Sequence, residues 1–417
     1  MNHELYIARR MKLNNERQKG SPSLTVALVG IVLAVVVMIL SIAIVMGFKG
    51  EITGKIMHLD AHLRVTNAAL GIDDNYATVN GREVREAVLA DSAFSTMLES
   101  ISLIADKSAI LKTDEDFMGI ILRGVDKGYD WRYLESKMVE GSTPVVSDTV
   151  ADKQIVISKG IADRLKLHAG DKVFTYFIDN NIKVRNLKIA GVFETDLEAF
   201  DNAYIVGDID IVQGVNGWHG DIGTQVAINL KNTDDLDTDS YYLYSVLTES
   251  AVQHESKNLF FVTSTRQNNL PFFAWLDMLD MNVVIILTLM MIVAAFTLIS
   301  AMLMIVLERI RVIGNFKAMG ATNASIRRIF IYLTGKLILK ALIIGNIIGI
   351  GLCLLQKYCH IVRLDPTAYY MPYVPITLSI PALLLLNVGI IIVSYLTLLI
   401  ASHIISTIKP TATMRFE

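Results

Sequence analysis

The sequence predicts an α-helical membrane protein with four transmembrane helices and a large α+β domain inserted between the first and the second. Three observations predict it. The 417-residue chain is 53% hydrophobic yet 19% charged, too apolar for one soluble domain and too charged for a wholly embedded one. Its apolar residues gather into four long runs. Between the first two runs the pattern changes to short alternating or β-branched strands interleaved with helices.

Residues 283–330 organise the chain. The uncharged run 283–307 rises 1.5 Å per residue and is therefore long enough to cross a hydrocarbon core ~30 Å thick. Arg309, Arg311, Lys317, Arg327 and Arg328 follow against the single acid Glu308, and basic short loops stay in the cytosol. Ile310, Ile313, Phe316 and Met319 recur every three residues, which predicts a helix with one apolar side lying along the membrane surface. Gly320 is suited to end that helix, and Thr322 to cap the next.

The other elements follow in order. Residues 1–23 form a basic cytosolic lead-in, with Arg9, Arg10, Lys12, Arg17 and Lys19 against Glu4 and Glu16. The first span, 24–48, is longer than the apolar region of a secretory signal. Lys49, Gly50 and Glu51 follow it where a cleavage site would need small residues, so it is expected to remain as an anchor. Residues 49–270 form the α+β domain, on the far side from the cytosol, with a hairpin turn at Asp179, Asn180 and Asn181. Residues 271–307 re-enter and cross the membrane, and Phe272, Phe273 and Trp275 stand at the depth where aromatic rings anchor. After the cytosolic helix, 308–328, the third span is 329–355. In it Lys336 and Lys340 reach toward one interface, and Gly345 and Gly349 form a G-x-x-x-G step for close helix packing. An outer loop, 356–377, is broken by Pro366, Pro372 and Pro375, the fourth span is 378–405, and 406–417 is a cytosolic tail.

The same residues limit the chemistry. A net charge of −3 gives no field for nucleic acid. Cys353 and Cys359 offer neither a disulfide framework nor metal-ligand spacing. No stretch fits the phosphate-binding G-x-x-x-x-G-K-[ST] pattern, so any ATP hydrolysis belongs to another subunit and the chain itself is not an enzyme. His58 and His62 are four apart with no third ligand nearby, so no metal site is expected, and Glu194, Asp196, Glu198 and Asp201 read as a solvated loop rather than catalytic carboxylates. Thr297 and Ser300 either bond back to helix carbonyls or pack against another span.

Several stretches carry a family resemblance: IVMGFKGEI at 44–52, IVAAFTLISAMLMIVLER at 292–309, KAMGAT with IRRIF at 317–330, and KPTATMRFE at 409–417. AHLRV around His62 and QIVISKGIADRLKLHAGDKV at 154–173 add to it. Together they resemble the permease subunits of the lipoprotein-releasing ABC transporter, the LolC/LolE type within the MacB-like and FtsX-like superfamily, and the likeness covers essentially the whole chain. The resemblance implies a multi-pass inner-membrane permease with both termini cytoplasmic and a periplasmic MacB-like domain. It would pair with a second permease copy or a paralogue and with a cytosolic LolD-like ATPase. That ATPase would hold ATP and Mg, and this chain would bind no cofactor. Ile313, Asn315, Phe316, Lys317, Met319, Gly320 and Ala321 would seat on the ATPase, and the spans would relay its closure outward by mechanotransmission. Lipoproteins would leave for a LolA-like periplasmic carrier. At about 0.8 kcal/mol per buried CH₂, bare acyl chains in water would cost tens of kcal/mol, so extraction needs a continuous greasy path. Ile42, Val45, Met46, Phe48, Phe272 and Phe273 are the residues expected to line its lower part, next to membrane lipids. The chain departs from the family where Val312, Ile313, Gly314, Asn315 and Phe316 replace a stretch that usually holds an acid. Contact with the ATPase is therefore expected to be apolar, through Phe316 and Met319. Thr297 stands where relatives commonly carry Asn. A MacB-like efflux permease and an FtsX-like signalling protein that regulates a cell-wall hydrolase are the alternatives.

Overall fold

The computed structural model describes residues 22–67, 78–144, 153–178, 181–255 and 258–402. The lead-in up to residue 21, the Asp179–Asn180 part of the turn and the KPTATMRFE ending lie outside them. The chain divides into two compact units, one of residues 51–274 and 364–372, the other of 22–50, 275–363 and the described part of 373–417.

Helix α1 (Pro22–Leu59) does not stop at Phe48, where the apolar run ends. Beyond it Ile52, Ile56 and Leu59 repeat at helical spacing and are buried, so packing rather than membrane burial sustains the last turns. The strands and helices of the head unit then follow: β1 (Leu63–Asn67), β2 (Val79–Asn80), α2 (Gly81–Ala90), α3 (Ser92–Met97), β3 (Leu98–Lys112), β4 (Phe117–Val125), α4 (Arg132–Ser136), β5 (Met138–Gly141) and β6 (Gln154–Ser158). The series continues with α5 (Lys159–Leu165), β7 (Lys172–Ile178), β8 (Ile182–Phe193), α6 (Glu198–Asp201), β9 (Tyr204–Asp208), α7 (Ile209–Asn216), β10 (Ile222–Gly223), β11 (Gln225–Leu230), α8 (Leu236–Gln253), β12 (Phe260–Ser264) and α9 (Thr265–Asn268).

Among the described residues nine strands form one path, β12-β1-β11-β3-β4-β9-β6-β8-β5, and β7 pairs with β3 and β8 beside it. The β4/β9 and β6/β8 pairs are parallel and the other pairs of this sheet are antiparallel, which makes the head α+β with a mixed sheet. Its main core joins Val84, Ala87 and Val88 of α2 and Leu243 and Leu247 of α8 to Leu63, Leu103, Leu122 and Ile228 of the sheet. A smaller cluster contains Leu59, Leu134, Phe193, Phe200 and Val206.

The second unit holds most of the apolar helices. Helix α10 (Leu270–Glu308) is followed by α11 (Ile310–Ala318) and α12 (Asn323–Cys359), then by the short α13 (Pro366–Tyr369), which belongs to the head unit, and by α14 (Ile380–Ser402). Among the described residues, four helices, α1, α10, α12 and α14, are long and apolar enough to cross a membrane. Ile31, Val35, Met38 and Ile39 of α1 pack with Leu298 and Met302 of α10, Phe330 and Leu342 of α12, and Ile390 of α14. Gly345 and Gly349 seat α12 against α1, since a Cβ built on Gly345 would lie 2.8 Å from Val35 Cβ, and one on Gly349 would lie 3.0 Å from Ile39 Cδ1. Between α12 and α14, half-buried Asn346 and Asn387 exchange side-chain amide hydrogen bonds of 2.7 and 3.0 Å, so each amide finds a partner on the other helix.

Candidate functional site

The turn between α11 and α12 is built by local chemistry. After α11 the N–H of Met319 donates to Asn315 O and that of Ala321 to Phe316 O, while Gly320 takes a φ of +88°, open to glycine at little cost. Thr322 Oγ1 then accepts from Ser325 N at 3.3 Å and starts α12. The faces of α11 differ from the expected assignment. Ile313 is fully buried and Phe316 is half-buried, both on the core that contains Ile326 and Phe330. A short amphipathic helix lying on a bundle turns its apolar stripe inward, which buries Ile313 and leaves Phe316 only partly accessible. The exposed face instead carries Arg311, Asn315, Ala318, Met319 and Gly320, with Met319 80% exposed, while Lys317 and Ala321 are intermediate.

Within α1, Lys49 Nζ meets Asp277 Oδ1 at 3.3 Å and Asp280 Oδ2 at 2.6 Å, both on α10. Phe48 and Trp275 pack edge to face at 5.6 Å beside this clasp. Ile42, Val45 and Phe48 are half-buried and Met46 is exposed. In the head unit, Phe272 packs edge-on against Tyr370 at 6.1 Å. Phe273 is buried, 8% exposed, with the Arg266 guanidinium 5.9 Å from its ring centre, so it is closed off from any open apolar surface. The acids three apart at 277 and 280 were a readable signal for a partner cation, and sequence reasoning missed them.

The base of the head is a polar network. Arg123 on β4 donates to both carboxylate oxygens of Asp106 on β3, at 3.0 and 3.1 Å, and its Nη1 donates to the Leu59 carbonyl at the end of α1, at 3.2 Å. Gln225 Nε2 completes Asp106 at 3.2 Å, and the Tyr204 ring lies 4.6 Å from the guanidinium carbon. Burial works against the Arg123 cation, but Asp106 more than offsets it and holds the guanidinium above its ordinary value. Loss of solvent pushes the hydroxyl of half-buried Tyr129, beside this pair, up to about 12. Asp60 accepts from Arg64 at 2.6 Å and from Asn269 at 3.0 Å, joining the segment after α1 to the segment before α10.

The histidines do structural work. His62 Nδ1 accepts from Leu230 N at 2.9 Å, and burial lowers its pKa. His58 stacks on Tyr133 at 4.9 Å. Among the described residues no group of three His, Cys, Asp or Glu is placed to hold a metal. The acids at 194–201 are not a uniformly solvated loop. Glu194 pairs with Lys159 and Asp196 with Lys55, while Asp201 is buried and accepts from the Thr195 N–H at 3.1 Å and hydroxyl at 2.7 Å. Burial pushes the Asp201 carboxyl up to about 6. Thr297 Oγ1 bonds back to Val293 O at 2.8 Å.

Comparison with known proteins adds the rest. A family model for the MacB-like periplasmic core domain matches residues 24–239, and one for the FtsX-like permease C-terminal matches 284–410. The lipoprotein-releasing system transmembrane protein LolC of Neisseria meningitidis serogroup B is 21% identical over 415 residues, covering 94% of each chain. LolC of Xylella fastidiosa is 21% identical over 408 residues, covering 94% of this chain and 93% of its own. Among solved structures, the extracellular domain of the noncanonic ABC-type transporter YknZ from Gram-positive bacteria shares 16% identity over 49% of this chain and 99% of its own, with a TM-score of 0.35. The periplasmic region of MacB from Actinobacillus actinomycetemcomitans shares 13% identity over 50% of this chain and 91% of its own, also at 0.35.

Proposed function

The chain belongs to the MacB-like and FtsX-like permeases of the LolC/LolE type, and from that premise we propose that it is the permease subunit of an inner-membrane ABC transporter that releases lipoproteins toward the outer membrane. A separate cytosolic ATPase supplies the energy, a second permease completes the membrane part, and a periplasmic carrier receives the lipoprotein. The observation that carries this reading is the match to LolC over 94% of both chains. The mechanism is mechanotransmission: ATPase closure pushes the α11 turn, and the long helices convey the displacement to the head. Support comes from a capped, exposed turn at one end and, at the other, from the Leu59 carbonyl at the end of α1 held by Arg123 in the centre of the sheet.

The test in cells is depletion. Lipoproteins destined for the outer membrane should accumulate in the inner membrane. Drug sensitivity without accumulation, or chains of undivided cells, would overturn the reading in favour of efflux or of cell-wall signalling. In the purified complex, Arg311→Glu with Met319→Asp should abolish stimulation of the ATPase while the protein stays folded, because both side chains are exposed. Phe316→Asp should instead lower stability, because it puts a charge into a packed contact.

A further inference from the structure

We propose that Lys55 is a positioning residue of the release cycle, which fastens the outer loop 364–372 to helix α1 so that load carried by α1 also reaches that loop. This rests on the mechanotransmission reading above.

Lys55 lies on the last turns of α1 with its side chain only 4% exposed. Its Nζ reaches Asp196 Oδ2 at 3.2 Å and the Tyr370 carbonyl at 2.8 Å, partners 141 and 315 residues away in sequence. Removing an ammonium from water is costly, and an apolar chain of equal length would fill the space without that cost. What an apolar chain cannot do is hold a carbonyl by a directional bond.

Both partners sit in the left-handed backbone region, Asp196 at φ +59° and Tyr370 at φ +60°. For a side chain as bulky as Tyr that conformation is sterically costly, and such strain persists only where the surroundings enforce it. Tyr370 is enforced from several sides. Its N–H donates to Pro366 O at 2.9 Å, Leu364 N closes the loop onto Pro372 O at 3.0 Å, and its ring packs against Phe272. Asp196 adjoins Thr195, which is bonded to buried Asp201. One ammonium thus ties α1, the acid loop of the head and the outer loop, and residues 364–372 continue covalently toward α12 and α14.

The experiment uses the complete complex of this chain, its partner permease and the ATPase in liposomes, and reads lipoprotein released to the carrier per ATP hydrolysed. Lys55→Met should leave the ATPase rate within about twofold and lower release per ATP about tenfold. Lys55→Arg, which keeps the donors, should retain release. Tyr370→Pro leaves Lys55 in place but cannot adopt a positive φ, and it should reproduce the loss, carrying the test should Lys55→Met fail to accumulate. Wild-type release per ATP in Lys55→Met or in Tyr370→Pro, or equal loss in Lys55→Met and Lys55→Arg, overturns the proposal. A second readout does not depend on the substrate. Spin labels at Ala199→Cys and Ala368→Cys, with Cys353→Ala and Cys359→Ser, should give a narrow distance distribution that broadens with Lys55→Met. An unchanged distribution overturns the link, whereas a narrow-to-broad change in a complex that moves no lipoprotein keeps the link and overturns the functional reading instead.

Discussion

Replacing Arg123 with Met should be among the most damaging single changes in the head. The guanidinium, 6% exposed, neutralises Asp106 through two hydrogen bonds, caps the Leu59 carbonyl and covers the Tyr204 ring. Methionine fills part of the volume and makes none of those bonds. Removing one partner of a buried pair costs about 3–5 kcal/mol, because the other charge stays behind. Asp106 is 26% exposed and keeps Gln225, which pulls the cost to the lower end, while the orphaned Leu59 carbonyl adds ~1 kcal/mol or more. The terms overlap, and about 4 kcal/mol is the expected sum, a large share of a domain's ~5–15 kcal/mol. At roughly 2–4 °C per kcal/mol for a domain of this size, the melting temperature should fall by about 10 °C. The assay is thermal unfolding of the full-length protein in detergent, followed by tryptophan fluorescence, with Trp131 and Trp218 reporting on the head. Arg123→Met with Asp106→Leu removes the stranded charge and should recover at least half of the loss. A single variant melting within about 2 °C of wild type, or a double variant no better than the single, would falsify the view that this ion pair holds the base of the head.

Two other perturbations follow from the same geometry. Gly345→Ala should destabilise the helix bundle by about 1–3 kcal/mol, and Gly349→Ala by less, because the first methyl meets the stiff Cβ of Val35 and the second the mobile end of Ile39; the order of the two melting temperatures in detergent checks it, and the reverse order would count against the close approach of α1 and α12. Asp201 titrates near 6 in the folded head against an ordinary value of 3.8, so between about pH 4 and 6 the folded state binds more protons than the unfolded one and stability falls as pH rises through that window, by up to ~3 kcal/mol. Asp201→Asn cannot titrate, so the wild type should gain stability relative to it on acidification from pH 7 to 4.5; a pH-independent difference in melting temperature between the two would remove this account of the 194–201 loop.

Much of the architecture was legible because solvent preference is written locally. An apolar run free of charge declares a span wherever it sits, and the Gly320–Thr322 turn follows from the backbone preferences of two residues. The end of α1 was not legible, because the segment after Phe48 carries no stop signal and its helicity depends on burial of Ile52, Ile56 and Leu59. The direction of α11 was also hidden. A period of three in Ile310, Ile313 and Phe316 says that one side is apolar without saying whether a partner or the chain's own bundle covers it. The Arg123–Asp106 pair needs the β3/β4 register, which sets the two residues opposite each other, and Lys55 finds partners no local pattern announces.

Under the mechanotransmission proposed above, those long-range contacts would answer a mechanical need that the helices alone leave open. At residues 50/51 and 274/275 the two units are joined through helix, α1 and α10, whose backbone hydrogen-bond ladders run across both boundaries. A displacement along such a ladder is conveyed by the backbone itself and needs no side chain to pass it on. Residues 364–372 differ, since they hold only the short helix α13 and join the other unit through non-helical backbone at both ends. Loop backbone of that kind transmits force only where side chains pin it. On the proposal made for Lys55, the buried ammonium bonded to the Tyr370 carbonyl would be such a pin, at the connection that has no helix to do the same work.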